Sequence, residues 1–487
     1  MRLHRFSMAA LFALCAGLSG CTINPATGQS GFTGFMSESQ EAKIGQESDA
    51  KILAEFGGAY ANPAVQAYVQ RIGKSVAAHS ERPDIDFHYT VLDSGIVNAF
   101  AMPGGYVYIT RGLLALANNE AEVAGVLGHE TGHVVARHLA QRYSQSVLAQ
   151  IAAAGLGIAA GDQAIGQLAS QGAALYLQSF SREEEYQADL LGVRYITKAG
   201  YDPRAMATFL EKLLLHSQLA AEIAGHPGQA DQFDIMATHP RTADRVERAM
   251  AEAGATPPAG KPILNGDAYL ARIDGLLYGD DPKDGMVRGR QFIHPVLRFA
   301  FQVPEGYRLM NGADQVTAQG PNDASAIAFD LGPKGNTGDL AAYLTQEWAA
   351  KLRLSDVRTY TIDGTPAATG RALVDTDSGR LYVRTTVIRL EGTIYRFLCI
   401  AAPSKASQFD AGFQNTAASF RRLSAAEAAA IKPKHIKIVT LGKADSIASL
   451  AQRMAFSDYR EERFRALNGL QPADNLVPGQ RVKIVIE

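Results

Sequence analysis

The sequence predicts an α+β protein of several domains, and three observations support this prediction. Segments whose apolar residues recur with a helical period are interspersed with short segments that alternate apolar and polar residues. Proline-rich and glycine-rich residues at 254–262, and a linker of alanine and lysine before residue 434, interrupt these patterns. With 487 residues, of which 47% are hydrophobic and 20% charged, the chain is long enough for two to four globular domains.

The first domain is expected over residues 37–255 and combines helices with a small sheet. Ser37 begins a capping-box pattern, and Asn62-Pro63 is typical of the start of a second helix. Segments 87–92 and 106–110 alternate like strands. This mixture predicts an α+β core in which helices pack on a short sheet.

The segment 146–178 is apolar but contains Gln150, and its longest apolar run is shorter than the roughly 20 residues that cross a bilayer. We therefore expect a pair of apolar helices near the cleft. Contact with a membrane surface is the alternative.

Residues 129–133 read His-Glu-Thr-Gly-His within a segment of helical period. On a helix, His129 and His133 lie on one face, one turn apart, so both imidazoles can bind one zinc ion. Glu130 lies about 100° round the helix from His129, close enough to take a proton from the attacking water without binding the metal. Asn119 can cap this helix. The motif predicts a metal-dependent hydrolase if a third ligand exists.

A third ligand is available in the segment 181–189, which reads SREEEYQAD. If this segment is helical, Glu185 and Asp189 share a face, so Glu185 can bind the metal and Asp189 can accept the outer N–H of a ligand histidine. A solvated, charged helix face is the alternative for this segment alone. The class of zinc site with a third histidine is excluded, because Ala136 and Leu139 occupy the positions that it needs.

Several ordered motifs over residues 34–250 together resemble metallopeptidase family 48, the CAAX-prenyl-protease and HtpX group of gluzincins. Its lipidated periplasmic members are the most similar. The motifs are NAFAMPGG at 98–105, HETGH at 129–133 continued to His138, SREEEYQAD at 181–189, GYDP at 200–203, and His239-Pro240 followed by Arg245.

The resemblance implies a zincin fold of the gluzincin type and assigns roles to individual residues. His129, His133 and Glu185 would bind one zinc ion, and Glu130 would be the catalytic base. An edge strand that pairs with extended substrate would include Gly105, Tyr106, Val107 and Tyr108.

His239 has two candidate roles that the sequence does not separate. It can donate a hydrogen bond to the oxyanion of the tetrahedral intermediate, or it can occupy the open position of the zinc ion and inhibit the enzyme. An inert loop residue is the third interpretation. Arg245 is expected to orient the same region.

Residues 1–20 resemble a lipoprotein signal peptide, with two arginines, a short apolar core and Leu-Ser-Gly before Cys21. Acylation of Cys21 would anchor the protein to a membrane through a tether of residues 21–36. Thr22 in the next position implies the outer membrane and its periplasmic face. An ordinary cleaved signal peptide or a short anchor helix is the alternative.

Three segments follow the first domain. Residues 256–290 are expected to form a linker with one helix, and residues 291–423 an α+β sandwich that faintly resembles the PsbP/Mog1 type and carries no active site. Cys399 is expected to be buried in one of its strands. Residues 434–487 have a βααβ pattern that resembles a LysM module, although its glycan-binding signature is degraded at 442–447.

Taken with the resemblance, these predictions describe a zinc-dependent endopeptidase of the bacterial cell envelope that cleaves unfolded or mis-assembled proteins. A chaperone or assembly factor for outer-membrane proteins, with a latched protease, is the main alternative. A peptidoglycan hydrolase is a weaker one, motivated by the LysM-like segment. The net charge of −2 gives no electrostatic case for binding nucleic acid.

Overall fold

The computed structural model describes residues 21–154 and 180–487 except positions 25, 27, 29, 231–238, 240–242, 256, 313–314, 336–337 and 377–378. The predicted signal peptide and most of the apolar segment 146–178 lie outside the described residues. Within the described part of the chain, no helix is long and apolar enough to cross a bilayer.

The chain forms two compact units. The first comprises the residues up to Gly279 together with Lys434–Glu487, and the second comprises Asp280–Pro433. The expected boundaries of the three domains, the tether and the linker stay a prediction.

The first unit opens with a hairpin of β1 (Cys21–Ile23) and β2 (Ser30–Phe32), in the segment that we expected to be a plain tether. Its later elements up to Gly279 are α1 (Glu38–Glu55), α2 (Pro63–Ala77), β3 (His88–Leu92), β4 (Ala99–Met102), β5 (Tyr106–Thr110), α3 (Arg111–Leu116), α4 (Glu120–Val135), α5 (His138–Ala154), α6 (Arg182–Lys198), α7 (Ala205–Ile223), α8 (Ala243–Ala255), α9 (Gly266–Ile273) and β6 (Leu277–Tyr278).

Local sequence explains where these helices begin. Ser37 and Gln40 form the expected capping box at the start of α1, and the Asn62 side chain accepts from the Val65 N–H at the start of α2. Ser181 caps α6 in the same way. The predicted starts of α1 and α2 are confirmed.

The small sheet has the order β3-β5-β4 among the described strands. β5 pairs with β3 in parallel and with β4 in antiparallel register, so both of its edges are occupied. The structure therefore contradicts the expectation that the segment containing Gly105, Tyr106, Val107 and Tyr108 is an edge strand. The sequence pattern of a strand does not reveal its neighbours, and β4 went unrecognised because its four residues are all apolar and buried.

The C-terminal segment of the first unit has the expected βααβ order, with β18 (Lys434–Thr440), α13 (Ile447–Gln452), α14 (Arg460–Asn468) and β19 (Arg481–Ile486). β18 also pairs with β6, so this module shares a sheet with the end of the peptidase segment. The buried Lys483 ammonium donates to the carbonyl oxygens of Ala115, Leu116 and Ala117, each at 2.7 Å. The three N–H bonds of this one ammonium group thus reach three carbonyl oxygens at the C-terminal end of α3.

The second unit is an α+β domain built on two antiparallel sheets. The seven-stranded sheet has the order β10-β11-β12-β16-β15-β14-β13, and the four-stranded sheet has the order β17-β9-β8-β7, within the residues described. The elements are β7 (Met286–Arg288), β8 (Gln291–His294), β9 (Phe299–Gln302), β10 (Arg308–Asn311), β11 (Val316–Gln319), β12 (Ser325–Lys334), α10 (Leu340–Ala342), β13 (Ser355–Ile362), β14 (Thr365–Thr376), β15 (Gly379–Leu390), β16 (Thr393–Ala401), α11 (Ala406–Ala418), β17 (Arg421–Arg422) and α12 (Ala425–Ala430).

A cluster of aromatic side chains fills this unit, and Cys399 is buried in β16, as expected. The segment 340–352 forms the short α10, a π-helical turn at Tyr343–Trp348 and a 3₁₀ turn at Ala350–Leu352. Its apolar residues still pack on the large sheet, as their helical period requires.

Candidate metal centre

Two helices, α4 and α6, bring the predicted ligands together because glycines let their backbones approach closely. A Cβ built at Gly192 of α6 would lie 2.9 Å from the backbone nitrogen of His129 on α4. A Cβ at Gly132 of α4 would lie 3.1 Å from the carbonyl oxygen of Ala188 on α6. This contact places the first turn of α6, with Glu185, beside the last turns of α4.

Four donor atoms converge at this contact. His129 Nε2 lies 3.0 Å from His133 Nε2, and Glu185 contributes Oε2 at 3.6 Å from the former and Oε1 at 3.5 Å from the latter. His239 Nδ1 lies 2.9 Å from Glu185 Oε1 and 3.4 Å from His129 Nε2. All four side chains are buried.

These distances fit a tetrahedral metal ion. Ligand bonds of about 2.0–2.1 Å, which zinc makes to nitrogen and oxygen, place tetrahedral donor atoms about 3.3–3.4 Å apart. The separations of 2.9–3.6 Å between donor atoms scatter around this value. Burial also holds the pKa of His133 well below its usual range, so the ring is neutral, which is the form that binds a metal.

The outer nitrogen of His129 has the partner that we expected. His129 Nδ1 lies 2.9 Å from Asp189 Oδ1, and Arg245 donates to both Asp189 oxygens at 2.7 Å. Burial alone would raise the pKa of Asp189, but the Arg245 guanidinium and its hydrogen bonds lower it, so the carboxylate stays charged. Arg245 also contacts Glu185 Oε2 at 2.6 Å.

The outer nitrogen of His133 has a partner that the sequence reasoning missed. His133 Nδ1 lies 2.8 Å from His138 Nδ1, and His138 Nε2 lies 3.2 Å from Gln187 Oε1. The ring of Phe180 stacks on His133 at a centroid distance of 3.9 Å. His138 was visible in sequence as an extension of the motif, and Gln187 as a polar residue between the two acidic positions of α6.

Glu130 is buried beside the four donors. Its Oε1 lies 3.8 Å from His239 Nε2, while Oε2 has no hydrogen-bond partner among the described residues. Burial raises the pKa of this carboxyl group, against the opposing charges of His239 and His129. A buried, unpartnered carboxylate oxygen with an elevated pKa suits a group that takes and returns a proton.

The two outer edges of the small sheet differ. The edge of β3 is closed by two glutamines of α2: the Val91 N–H donates to Gln66 Oε1 at 2.9 Å, and the Tyr89 N–H donates to Gln70 Oε1 at 2.8 Å. The Gln66 amide also donates to the Val91 carbonyl at 2.7 Å. These side chains replace a neighbouring strand.

The edge of β4 is different. The Thr110 N–H of β5 donates to the carbonyl of Asn98, the residue before β4. In an antiparallel pair, successive residues point their backbone N–H and C=O groups alternately towards and away from the partner strand. The backbone groups of Ala99 and Ala101 therefore point away from β5. β4 packs against α4, the helix with both histidines. β4 therefore lies beside the helix that carries two of the candidate ligands.

Comparison with known proteins agrees with this centre. The profile of peptidase family M48 matches residues 63–253, and the profile of the LysM domain matches residues 439–485. The chain thus carries an M48 metallopeptidase domain and a LysM domain, which confirms the resemblances predicted from sequence.

The chain is similar to the Beta-barrel assembly-enhancing protease of Escherichia coli (strain K12), with 29% identity over 229 residues, 44% of this chain and 44% of that protein. It is also similar to Metalloprotease LoiP of the same organism, with 28% identity over 226 residues, 44% of this chain and 88% of that protein. The match to the first relative thus spans less than half of that relative's length.

Among solved structures, PsbP from Synechocystis aligns with 28% of this chain and 98% of its own, at a TM-score of 0.23 and 13% identity. A TM-score this low does not establish a shared fold. The PsbP/Mog1-type prediction for the second unit therefore stays a prediction.

Proposed function

We propose that this protein is a zinc-dependent endopeptidase of the bacterial cell envelope that cleaves unfolded or mis-assembled envelope proteins. The observation that carries the proposal is the buried group of His129, His133 and Glu185, at tetrahedral donor distances, with Glu130 beside it. Two histidines and a glutamate are a ligand set of catalytic zinc sites in peptidases.

When bound, zinc would polarise the scissile carbonyl and lower the pKa of a water molecule toward about 7. The chain's own residues would do the remaining work. Glu130 Oε2 would take the proton of the attacking water and deliver it to the leaving nitrogen. Asp189 and Arg245 would hold the His129 ring in the orientation that points Nε2 into the site.

The outer edge of β4 would position the substrate. Extended polypeptide that adds to this edge gains backbone hydrogen bonds from Ala99 and Ala101 whatever its side chains are. Because a folded domain does not release an extended segment, this mode of binding selects unfolded chains. The name of the Escherichia coli relative refers to barrel assembly, which supports unfolded barrel proteins as a substrate class.

Acylation at Cys21 would hold the peptidase at the periplasmic face of the outer membrane, and the LysM domain would place it near peptidoglycan. The same location suits the alternative role as an assembly factor for outer-membrane proteins.

Chelation tests this proposal. We expect the full-length protein in detergent to cleave an unfolded barrel protein and to spare the same protein once folded. 1,10-Phenanthroline should abolish cleavage, and added Zn²⁺ should restore it, because the site residues supply no nucleophile without a metal. Cleavage fragments on gels report the result. Cleavage that survives removal of all bound metal would refute the proposal.

His239 is proposed to latch the site. Its Nδ1 stands among the other three donor atoms, in the position where a water would be needed. We expect His239→Ala to cleave unfolded protein faster than the wild type, by about tenfold if the open state is about 10% populated. Initial rates with zinc occupancy measured in parallel check this. A slower variant would favour the alternative role as an oxyanion donor.

A further inference from the structure

We propose that His138, backed by Gln187, is a positioning residue that fixes the tautomer and ring orientation of His133 for metal binding. This inference rests on the proposed function, because it takes the four-donor group as the zinc site. It concerns His133, the ligand histidine whose outer nitrogen had no partner predicted from the sequence.

The hydrogen bonds permit a single assignment of protons. A metal at His133 Nε2 uses the lone pair of that nitrogen, so the ring proton resides on Nδ1. That N–H must donate to His138 Nδ1 at 2.8 Å, and the proton of His138 must then reside on Nε2. From Nε2 it donates to Gln187 Oε1 at 3.2 Å. The chain ends on an amide oxygen, which can only accept.

The position of His138 is determined by the turn between α4 and α5. Arg137 has a positive φ of 56°, a left-handed conformation that is strained for a residue with a side chain. Its guanidinium donates to Glu41 Oε2 at 2.9 Å and to the Met36 carbonyl at 2.7 Å, which holds the turn in place. The turn directs His138, at 1% exposure, back towards the last turn of α4.

The face of the His133 ring is held as well. Phe180 stacks on it with an interplanar angle of 28°, and the Arg142 guanidinium lies 4.9 Å from the Phe180 centroid. Stacking fixes the plane of the ring but leaves its rotation within that plane free. The bond from Nδ1 to His138 removes this freedom and aims Nε2 at the other donors.

The two ligand histidines are thus supported by different chemistry. His129 has a charged carboxylate partner, whereas His133 has a neutral imidazole. Among the described residues, Glu130, Glu185 and Asp189 already place three carboxyl groups in a buried space beside the Arg245 guanidinium. A neutral acceptor behind His133 supports the ligand without adding a further buried negative charge.

The test is zinc affinity, measured by competition with a chelator on the full-length protein. His138→Leu removes the acceptor at similar size, and His138→Asn keeps an oxygen at the position of Nδ1. We expect zinc binding about 10–100-fold weaker in the leucine variant, with most of the loss recovered in the asparagine variant. Gln187→Leu should give a smaller loss. His79→Leu, at an exposed histidine, is the matched control.

Thermal unfolding of the zinc-free proteins provides the second readout. Equal losses of affinity in the leucine and asparagine variants, accompanied by lower unfolding temperatures, would show that His138 serves packing alone and would overturn the inference. Unchanged affinity in His138→Leu would overturn it too. If His138→Leu weakens zinc binding but the wild-type protein cleaves no polypeptide, the inference would be supported and the proposed function refuted.

Discussion

Replacing Glu130 by glutamine is expected to lower the rate of unfolded-protein cleavage by about 10²–10⁴-fold, the usual contribution of general base catalysis. The amide keeps the size of the side chain but cannot take a proton from the attacking water. Zinc content should not change, because Glu130 is not one of the four residues whose donor atoms converge. Gel-based cleavage rates and metal analysis of the same preparations measure both quantities.

The free energy of unfolding of the Glu130→Gln protein is a second quantity to measure. Burial raises the pKa of the Glu130 carboxyl group, so removing its charge should not destabilise the fold. An exposed residue with the same substitution, Glu211→Gln on α7, should behave as the wild type in both assays. A Glu130→Gln protein that holds zinc and cleaves at the full rate would show that another group is the base.

Glu185→Gln is expected to lose zinc. The substitution replaces the one anionic donor of the group by a neutral amide, and the affinity should fall by more than the roughly 100-fold upper value seen for outer partners of ligands. The Arg245 guanidinium would lose its contact with the Glu185 carboxylate and keep that with Asp189, so the free energy of unfolding should also fall, by at most about 3–5 kcal/mol. Competition with a chelator and thermal unfolding measure these effects.

Glu183→Gln is the matched control, because Glu183 is exposed and lies on the same turn of α6. It should bind zinc as the wild type does. Comparable zinc affinity in the Glu185 and Glu183 variants would mean that the third ligand lies elsewhere, and the arrangement of the centre would have to be revised.

The sequence predicted the parts of the centre that depend on helical period and capping. His129 and His133 share a face because they are four residues apart on one helix, and the Asn119 side chain caps that helix as expected. The βααβ order of the LysM segment followed from local patterns in the same way. Each of these features is set by residues within a few positions of one another.

The sequence did not predict features that depend on neighbours distant in the chain. β5 is a central strand because β3 and β4 flank it, and its own alternation is the same at an edge or in the middle. The partnership of His133 with His138 needs the positive φ of Arg137, which no residue pattern announced. The closure of the β3 edge needs glutamines from another element.

By itself, the sequence determined which chemistry this protein can perform, because the ligand and base residues and the helices that carry them are local properties. Tertiary structure decided where that chemistry takes place. Two glycines, Gly132 and Gly192, allow two helix backbones to approach until Glu185 meets the histidines, and side-chain caps close one sheet edge while the other stays beside the metal centre. Such contacts arise from packing between segments far apart in the chain, to which a periodic pattern of residues is insensitive.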